Sequence, residues 1–165
     1  MPRWMLAWLA ALVLLVSADA QVKLGDQFPL LSGAGLTGPA LPETKGKVVL
    51  VDFCASWCAP CRASFPVYSK LQAEYGHRGL VIVAISVDVS PSDYTALVKK
   101  LHPGFSVLND LRNRLVATVQ PPAMPTSYLL DRTGRVIAIH SGFHSGDTEK
   151  ELREELDRIL EPVSE

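Results

Sequence analysis

Two long apolar runs constrain the fold of this chain more than any other feature. Residues 48–51 are continuously apolar, residues 80–87 are apolar except for Ser86, and both runs are rich in β-branched side chains. Such runs are typical of parallel strands that are covered on both faces. The segment between them, residues 60–75, has helical spacing and is followed by Gly76. The pattern therefore predicts a strand, a crossover helix and a second, parallel strand.

The rest of the chain predicts an α/β sheet with helices on both faces. The further predicted elements are a helix at 91–101, a strand at 105–108, a helix at 111–118, strands at 127–130 and 135–140, and a last helix with a capping box at Thr148 and Glu151. Residues 22–46 are rich in glycine and proline and favour a small N-terminal hairpin against the core. A chain of 165 residues that is 48% hydrophobic is long enough for one good core, so one domain is expected.

The first twenty residues have the pattern of a secretory signal. Arg3 gives a short positive region, residues 4–16 are apolar, and the small-x-small triplet at 18–20 precedes Gln21. The apolar run is shorter than the roughly 20 residues that cross a bilayer, and an uncleaved membrane anchor is the alternative. We expect cleavage after residue 20, leaving a domain of residues 21–165 in the periplasm or cell envelope, where disulfides persist.

The charge of the chain argues against one class of partner. The formal net charge is −1 and the sequence pI is about 6.4, so there is no broad basic field. Nucleic acid is therefore not expected to bind.

All three cysteines lie in VDFCASWCAPC, residues 51–61. Cys58 falls at the predicted start of the helix and Cys61 in its first turn. Backbone N–H groups and the helix dipole stabilise a thiolate there and pull the pKa of Cys58 below the free value of about 8.5. A second thiol one turn away can then release a partner bound to the first. The pattern favours a redox couple that Trp57 borders, with Pro60 fixing the start of the helix.

The spacing of the cysteines argues against a zinc site and against a purely structural disulfide. A zinc site needs four ligands, and there is no second CxxC; only His140 and His144 have a suitable histidine spacing. A structural staple across so few residues constrains the unfolded chain little. We therefore expect no metal and no cofactor.

The cysteine segment resembles the thioredoxin active site, V-D-F-x-A-x-W-C-x-P-C. Further landmarks resemble the exported thioredoxin-like reductases of the TlpA/ResA family, at residues 25–29, 46–51, 124–126 and 131–135. This resemblance implies a thioredoxin-like three-layer sandwich with a mixed central sheet and an N-terminal β-hairpin extension. It also implies that Cys58 is the nucleophile and Cys61 the resolving thiol.

The resemblance assigns roles to further residues near the cysteines. It implies that Pro125 is cis and that the backbone of Met124 pairs with an incoming peptide, with Trp57 and Pro60 also contacting substrate. From sequence alone, a trans proline that ends a loop is an equal alternative, because Pro121 and Pro122 make this loop proline-rich anyway.

Asp52 closes an apolar strand, where burial would raise its pKa and make it a proton acceptor for Cys61. The alternative is an exposed strand end that only caps a helix. The ResA group has a glutamate before the Phe-Pro pair, whereas this chain has Ser64.

The implied activity is protein-disulfide reduction by a monomer. Its substrate would be an oxidised envelope protein, such as apocytochrome c or a copper-site assembly protein, and its electrons would come from a membrane donor of the DsbD/CcdA type. Alternatives are an oxidant or isomerase, a copper carrier that uses Cys54, Cys58 and His140 or His144, and a thiol peroxidase, which would want threonine at Ala55. A non-enzymatic binding module would be expected to lose the CxxC.

Overall fold

A five-stranded mixed sheet forms the centre of the structure, a computed structural model that describes residues 21–160. The strands are β1 (Val48–Cys54), β2 (Leu80–Ser86), β3 (Ser106–Asn109), β4 (Thr126–Leu130) and β5 (Val136–Ser141). Their order is β3-β2-β1-β4-β5. Strands β1, β2 and β3 are parallel to one another, and β4 is antiparallel to both of its neighbours, β1 and β5. The predicted α/β fold with a mixed sheet is therefore confirmed. The predicted signal segment, residues 1–20, lies outside the described residues.

Four helices connect and cover these strands. They are α1 (Ala59–Tyr75), α2 (Pro91–Leu101), α3 (Arg114–Val119) and α4 (Asp147–Leu160), with single 3-10 turns at Leu31–Gly33 and Gly76–Arg78. The predicted capping box of the last helix is wrong, because α4 already begins at Asp147. Thr148 lies inside the first turn, where its hydroxyl accepts the backbone N–H of His144 at 3.0 Å. None of the helices within residues 21–160 has the length and apolar character to span a membrane.

Strand β1 is buried along its whole length because both faces of the sheet are covered. On one face, Leu50 belongs to a cluster with side chains of α1 and α4, namely Tyr68, Leu71, Leu152 and Leu156. On the other face, Val51 and Phe53 pack with α3 and the N-terminal segment, through Leu115, Val119, Phe28 and Leu31. Alternate residues of β1 thus serve two cores, which confirms the three-layer arrangement and explains the uninterrupted apolar run.

The predicted N-terminal β-hairpin is wrong. Within residues 21–47 the backbone forms isolated bridges with distant segments, Gln27 with Arg135 and Thr37 with Asn109. Gly25 and Gly35 both adopt positive φ, so the chain turns between short extended pieces. Each piece pairs with the existing sheet region rather than with its neighbour. The prediction that this segment covers the core is correct, since Phe28 and Leu31 are buried.

Candidate active site

The two cysteines of the CxxC motif form a disulfide at the start of α1. Their Cα atoms are 5.3 Å apart. Cys58 is the N-cap residue of the helix, and its sulfur accepts the backbone N–H of Cys61 at 3.2 Å. Cys58 is 5% exposed, whereas Cys61 is fully buried. The less buried of the two cysteines is therefore the one that the helix N-terminus can stabilise as an anion.

A loop before β4 lies against the disulfide. The Met124–Pro125 peptide bond is cis, in agreement with the resemblance. The carbonyl oxygen of Met124 is 3.6 Å from the sulfur of Cys58. The Thr126 hydroxyl donates to the carbonyl of Ala123 at 2.8 Å, and Gly142 N–H donates to the carbonyl of Pro125 at 2.7 Å. These bonds tie the loop to both β4 and the end of β5.

Trp57 and Pro60 lie at the surface on either side of Cys58 in the chain. Trp57 is 70% exposed, and Pro60 occupies the first turn of α1 with its ring also exposed. An exposed tryptophan next to the outer sulfur leaves a large apolar surface available to a macromolecule.

Asp52 is fully buried in β1 beneath α1. The hydroxyl of Tyr68 donates to one carboxylate oxygen at 3.1 Å, while the other oxygen, Oδ2, has no hydrogen-bond partner among the described residues. Burial raises the pKa of Asp52 well above its ordinary value, and the bond from Tyr68 offsets this only in part. The alternative of an exposed strand end is therefore wrong.

The buried face of α1 connects Asp52 to the cysteines indirectly. Cys61, Ser64 and Tyr68 are all buried on this helix, and the Ser64 hydroxyl donates to the carbonyl of Cys61 at 2.8 Å. Tyr68, which bonds to Asp52, lies seven residues from Cys61, about two helical turns. The structure thus places Asp52 beneath the helix that carries Cys61, but the hydrogen bond of the carboxylate comes from Tyr68.

The third cysteine is separate from the disulfide. Cys54 is a fully buried free thiol in β1, and its pKa is raised, first by burial and then by the nearby carboxylates of Asp52 and Asp88. The ring nitrogens of His140 face Glu155 at 2.9 Å and Glu151 at 3.4 Å. In the part of the chain from residue 21 to 160, no three His, Cys, Asp or Glu side chains are grouped to hold a metal. The ligand set of the copper alternative, Cys54, Cys58 and a histidine, is therefore not assembled among these residues.

Two buried polar residues near the site were missed by the sequence analysis. Tyr68 contacts Asp52, and its place on the buried face of α1, seven residues after Cys61, was an available signal. Asp88 binds Ser56 in the loop before Cys58. Asp88 follows β2 as the cysteine loop follows β1, and parallel neighbouring strands bring such loops together at one edge of the sheet.

Comparisons with known proteins agree with this geometry. The Redoxin family profile matches residues 23–156. The thioredoxin-like protein YneN of Bacillus subtilis is 34% identical, over 84% of this chain and 82% of its own length. The thiol-disulfide oxidoreductase ResA of Bacillus cereus is 29% identical, over 87% and 82%. The crystal structure of a putative thiol:disulfide interchange protein DsbE from Chlorobium tepidum superimposes with a TM-score of 0.73 at 32% identity, covering 85% of this chain and 99% of that one. The chain therefore belongs to the Redoxin family and is a thiol-disulfide oxidoreductase with a CxxC disulfide.

Proposed function

We propose that this protein reduces disulfides of client proteins in the bacterial cell envelope, with Cys58 as the nucleophile and Cys61 as the resolving thiol. One observation carries the assignment of roles. The sulfur of Cys58 caps the helix and lies beside the Met124 carbonyl, and Cys58 is 5% exposed, whereas Cys61 is fully buried. Cys58 is therefore the cysteine that a client meets first.

The exchange proceeds in two steps that move two electrons to the client. The Cys58 thiolate attacks one sulfur of the client disulfide, which forms a mixed disulfide and releases one client thiolate. The thiol of Cys61 then loses its proton and attacks the sulfur of Cys58. The Cys58–Cys61 disulfide closes, and the second client thiolate leaves.

Asp52 is the proposed acceptor of the proton from Cys61. Burial raises the pKa of this carboxyl, which makes its ionised form a stronger base than an exposed aspartate. Its unpartnered Oδ2 is available for this proton. Because the chain carries Ser64 where the ResA group has a glutamate, that position supplies a hydroxyl and no second carboxylate.

The client would lie across the surface around Cys58. Trp57 and Pro60 offer apolar contacts, and the backbone of Met124 before Pro125 offers hydrogen bonds to an extended peptide. The proposed client is an oxidised envelope protein, such as an apocytochrome c or a copper-site assembly protein. This part of the proposal rests on the resemblance to envelope reductases.

The resemblance also supports the source of electrons and the location. A membrane donor of the DsbD/CcdA type would reduce the Cys58–Cys61 disulfide after each cycle. Cleavage after residue 20 would leave a monomeric domain of residues 21–165 in the periplasm or cell envelope. A titration in glutathione buffers that gives a reduction potential near the oxidising end, about −120 mV, would instead favour an oxidant.

Trapping the mixed disulfide tests the proposal directly. In Cys61→Ser the first attack is intact but the resolving thiol is gone, so client proteins are expected to stay bound to Cys58 and to be released by dithiothreitol. The measurement is diagonal electrophoresis and mass spectrometry of envelope extracts from a strain expressing the full chain. The matched control combines Cys61→Ser with Cys58→Ala and should trap nothing. Adducts that persist in this control would contradict the assignment of Cys58.

A further inference from the structure

The backbone of Ser56, two residues before Cys58, is held at both of its peptide groups. On one side, the carboxylate oxygens of Asp88 accept the Ser56 backbone N–H at 3.0 and 3.1 Å and its hydroxyl at 2.8 Å. On the other side, the guanidinium of Arg62 donates to the Ser56 carbonyl at 2.7 Å. Asp88 thus holds the peptide group before Ser56 and Arg62 holds the one after it. Turning either group breaks a hydrogen bond to a charged side chain, and such bonds are the stronger kind.

Asp88 is itself fixed to the ends of two strands. Its residue is 4% exposed, and the Ser86 hydroxyl donates to its carboxylate at 2.8 Å. The side-chain amide of Asn109, the last residue of β3, donates to the Asp88 carbonyl at 2.8 Å. Asp88 thus anchors the backbone of Ser56 to the central sheet.

The residues that follow Ser56 are those that meet a client. Trp57 is 70% exposed and has few neighbours of its own to fix it, and Cys58 carries the reactive sulfur. In the oxidised protein the bond to Cys61 holds Cys58. Once this bond opens, the hydrogen bonds of Ser56 still hold the loop from its N-terminal side, together with the bond from the Cys58 N–H to the Ala55 carbonyl at 3.2 Å.

We propose that Asp88 is a positioning residue for disulfide exchange. Through Ser56 it keeps Trp57 and Cys58 of the reduced protein in the geometry that attacks a client disulfide. Asp88 acts without touching the reacting sulfurs, and the inference rests on the thiol-disulfide exchange activity of the chain. It does not depend on which envelope protein is the client.

Asp110 offers a matched comparison for a purely structural role. It is 1% exposed and follows β3 as Asp88 follows β2. Its two carboxylate oxygens accept the backbone N–H groups of Arg114 and Val116, both at 2.9 Å. The Asp110 carboxylate therefore holds the first turn of α3, as the Asp88 carboxylate holds the cysteine loop, and both of its hydrogen bonds go to α3.

The test uses the reduced full chain with Trp4→Phe and Trp8→Phe, so that Trp57 is the only tryptophan. Asp88→Ala is expected to lower the rate constant for insulin reduction by about 10- to 100-fold, since small misplacements of reacting groups have effects of this size. The fluorescence anisotropy of Trp57 should fall at the same time. Asp88→Asn keeps one oxygen that accepts the Ser56 N–H and the Ser86 hydroxyl, while its NH2 group donates to the Ser56 hydroxyl, which turns to accept. This variant should stay within about threefold of the parent.

Asp110→Ala should lower the unfolding midpoint while leaving both the rate constant and the anisotropy of Trp57 near the parent values. If Asp88→Ala does not fold, Ser56→Ala and Arg62→Gln each remove part of the same hold at half-buried positions and should lower both readouts. The proposal is overturned if Asp110→Ala loses as much rate as Asp88→Ala, or if Asp88→Asn is as slow as Asp88→Ala. It is equally overturned if the Ser56 and Arg62 variants change neither readout.

Discussion

Replacing Cys58 by serine is expected to lower the rate of insulin reduction by at least about 1,000-fold, because a hydroxyl cannot form the mixed disulfide. The helix N-terminus stabilises a sulfur anion at this position, but a serine hydroxyl stays protonated at any physiological pH. The measurement is insulin precipitation by the full chain with dithiothreitol as reductant. The variant should keep the fold, since the backbone at the N-cap is unchanged and serine is a favoured N-cap residue.

Cys54→Ala is the matched control for this loss. Cys54 is a buried thiol whose pKa is raised by burial, so it is not expected to react in the folded protein. The variant should reduce insulin at a rate within about twofold of the parent, as expected for a substitution that leaves the reacting groups in place. Activity that survives in Cys58→Ser but disappears when Cys54→Ala is added would show that the wrong cysteine has been assigned.

Asp52→Asn is expected to slow the resolving step by about 100-fold, the usual contribution of a positioned proton acceptor. An amide keeps the size of the carboxyl but cannot accept the proton of Cys61. The step is followed by stopped-flow release of a fluorescent peptide thiol from the mixed disulfide with Cys58, between pH 6 and 9. A release rate equal to that of the parent across this range would remove Asp52 from the mechanism.

The same variant should be more stable than the parent at neutral pH. Because the pKa of Asp52 is raised in the folded protein, the folded state holds this proton while the unfolded state releases it at about pH 4. The parent therefore loses stability as the pH rises from about 4 towards the raised pKa, and above that pKa the loss is complete. Asp52→Asn removes this loss, and urea denaturation should show a gain of about 1–3 kcal/mol at pH 7, the usual cost of a buried group without a partner.

Asp110→Asn distinguishes this effect from a general one. Both oxygens of Asp110 accept backbone N–H groups, so an amide at this position would bring a donor against a donor. We expect that variant to be less stable than the parent at pH 7. Equal gains in the two variants would contradict the account of Asp52.

The elements that the sequence predicts well are those whose burial is continuous. Strands β1 and β2 are covered on both faces, so their residues are apolar except for Asp52 and Ser86 near the active site. Because the two strands are parallel, a crossover helix must connect them. Asp52 stands out in the sequence for the same reason. Its burial was predictable, but its contact with Tyr68 depends on how α1 rotates above the sheet.

The features that the sequence does not predict depend on contacts between distant segments. Residues 22–46 contain turn signals, but their pairing with Arg135 and Asn109 is a property of the assembled sheet. The hold of Asp88 on Ser56 joins residues 32 positions apart. The cis bond before Pro125 was implied by resemblance alone, since a proline-rich loop is compatible with either isomer.

Disulfide exchange by this chain requires the reduced sulfur of Cys58 to be an anion, which the start of α1 is expected to stabilise. This is tested by the rate of iodoacetamide alkylation at Cys58 in the reduced full chain, followed by mass spectrometry as a function of pH. We expect a midpoint at least one pH unit below about 8.5, the value of an ordinary thiol. A midpoint at or above about 8.5 would contradict it.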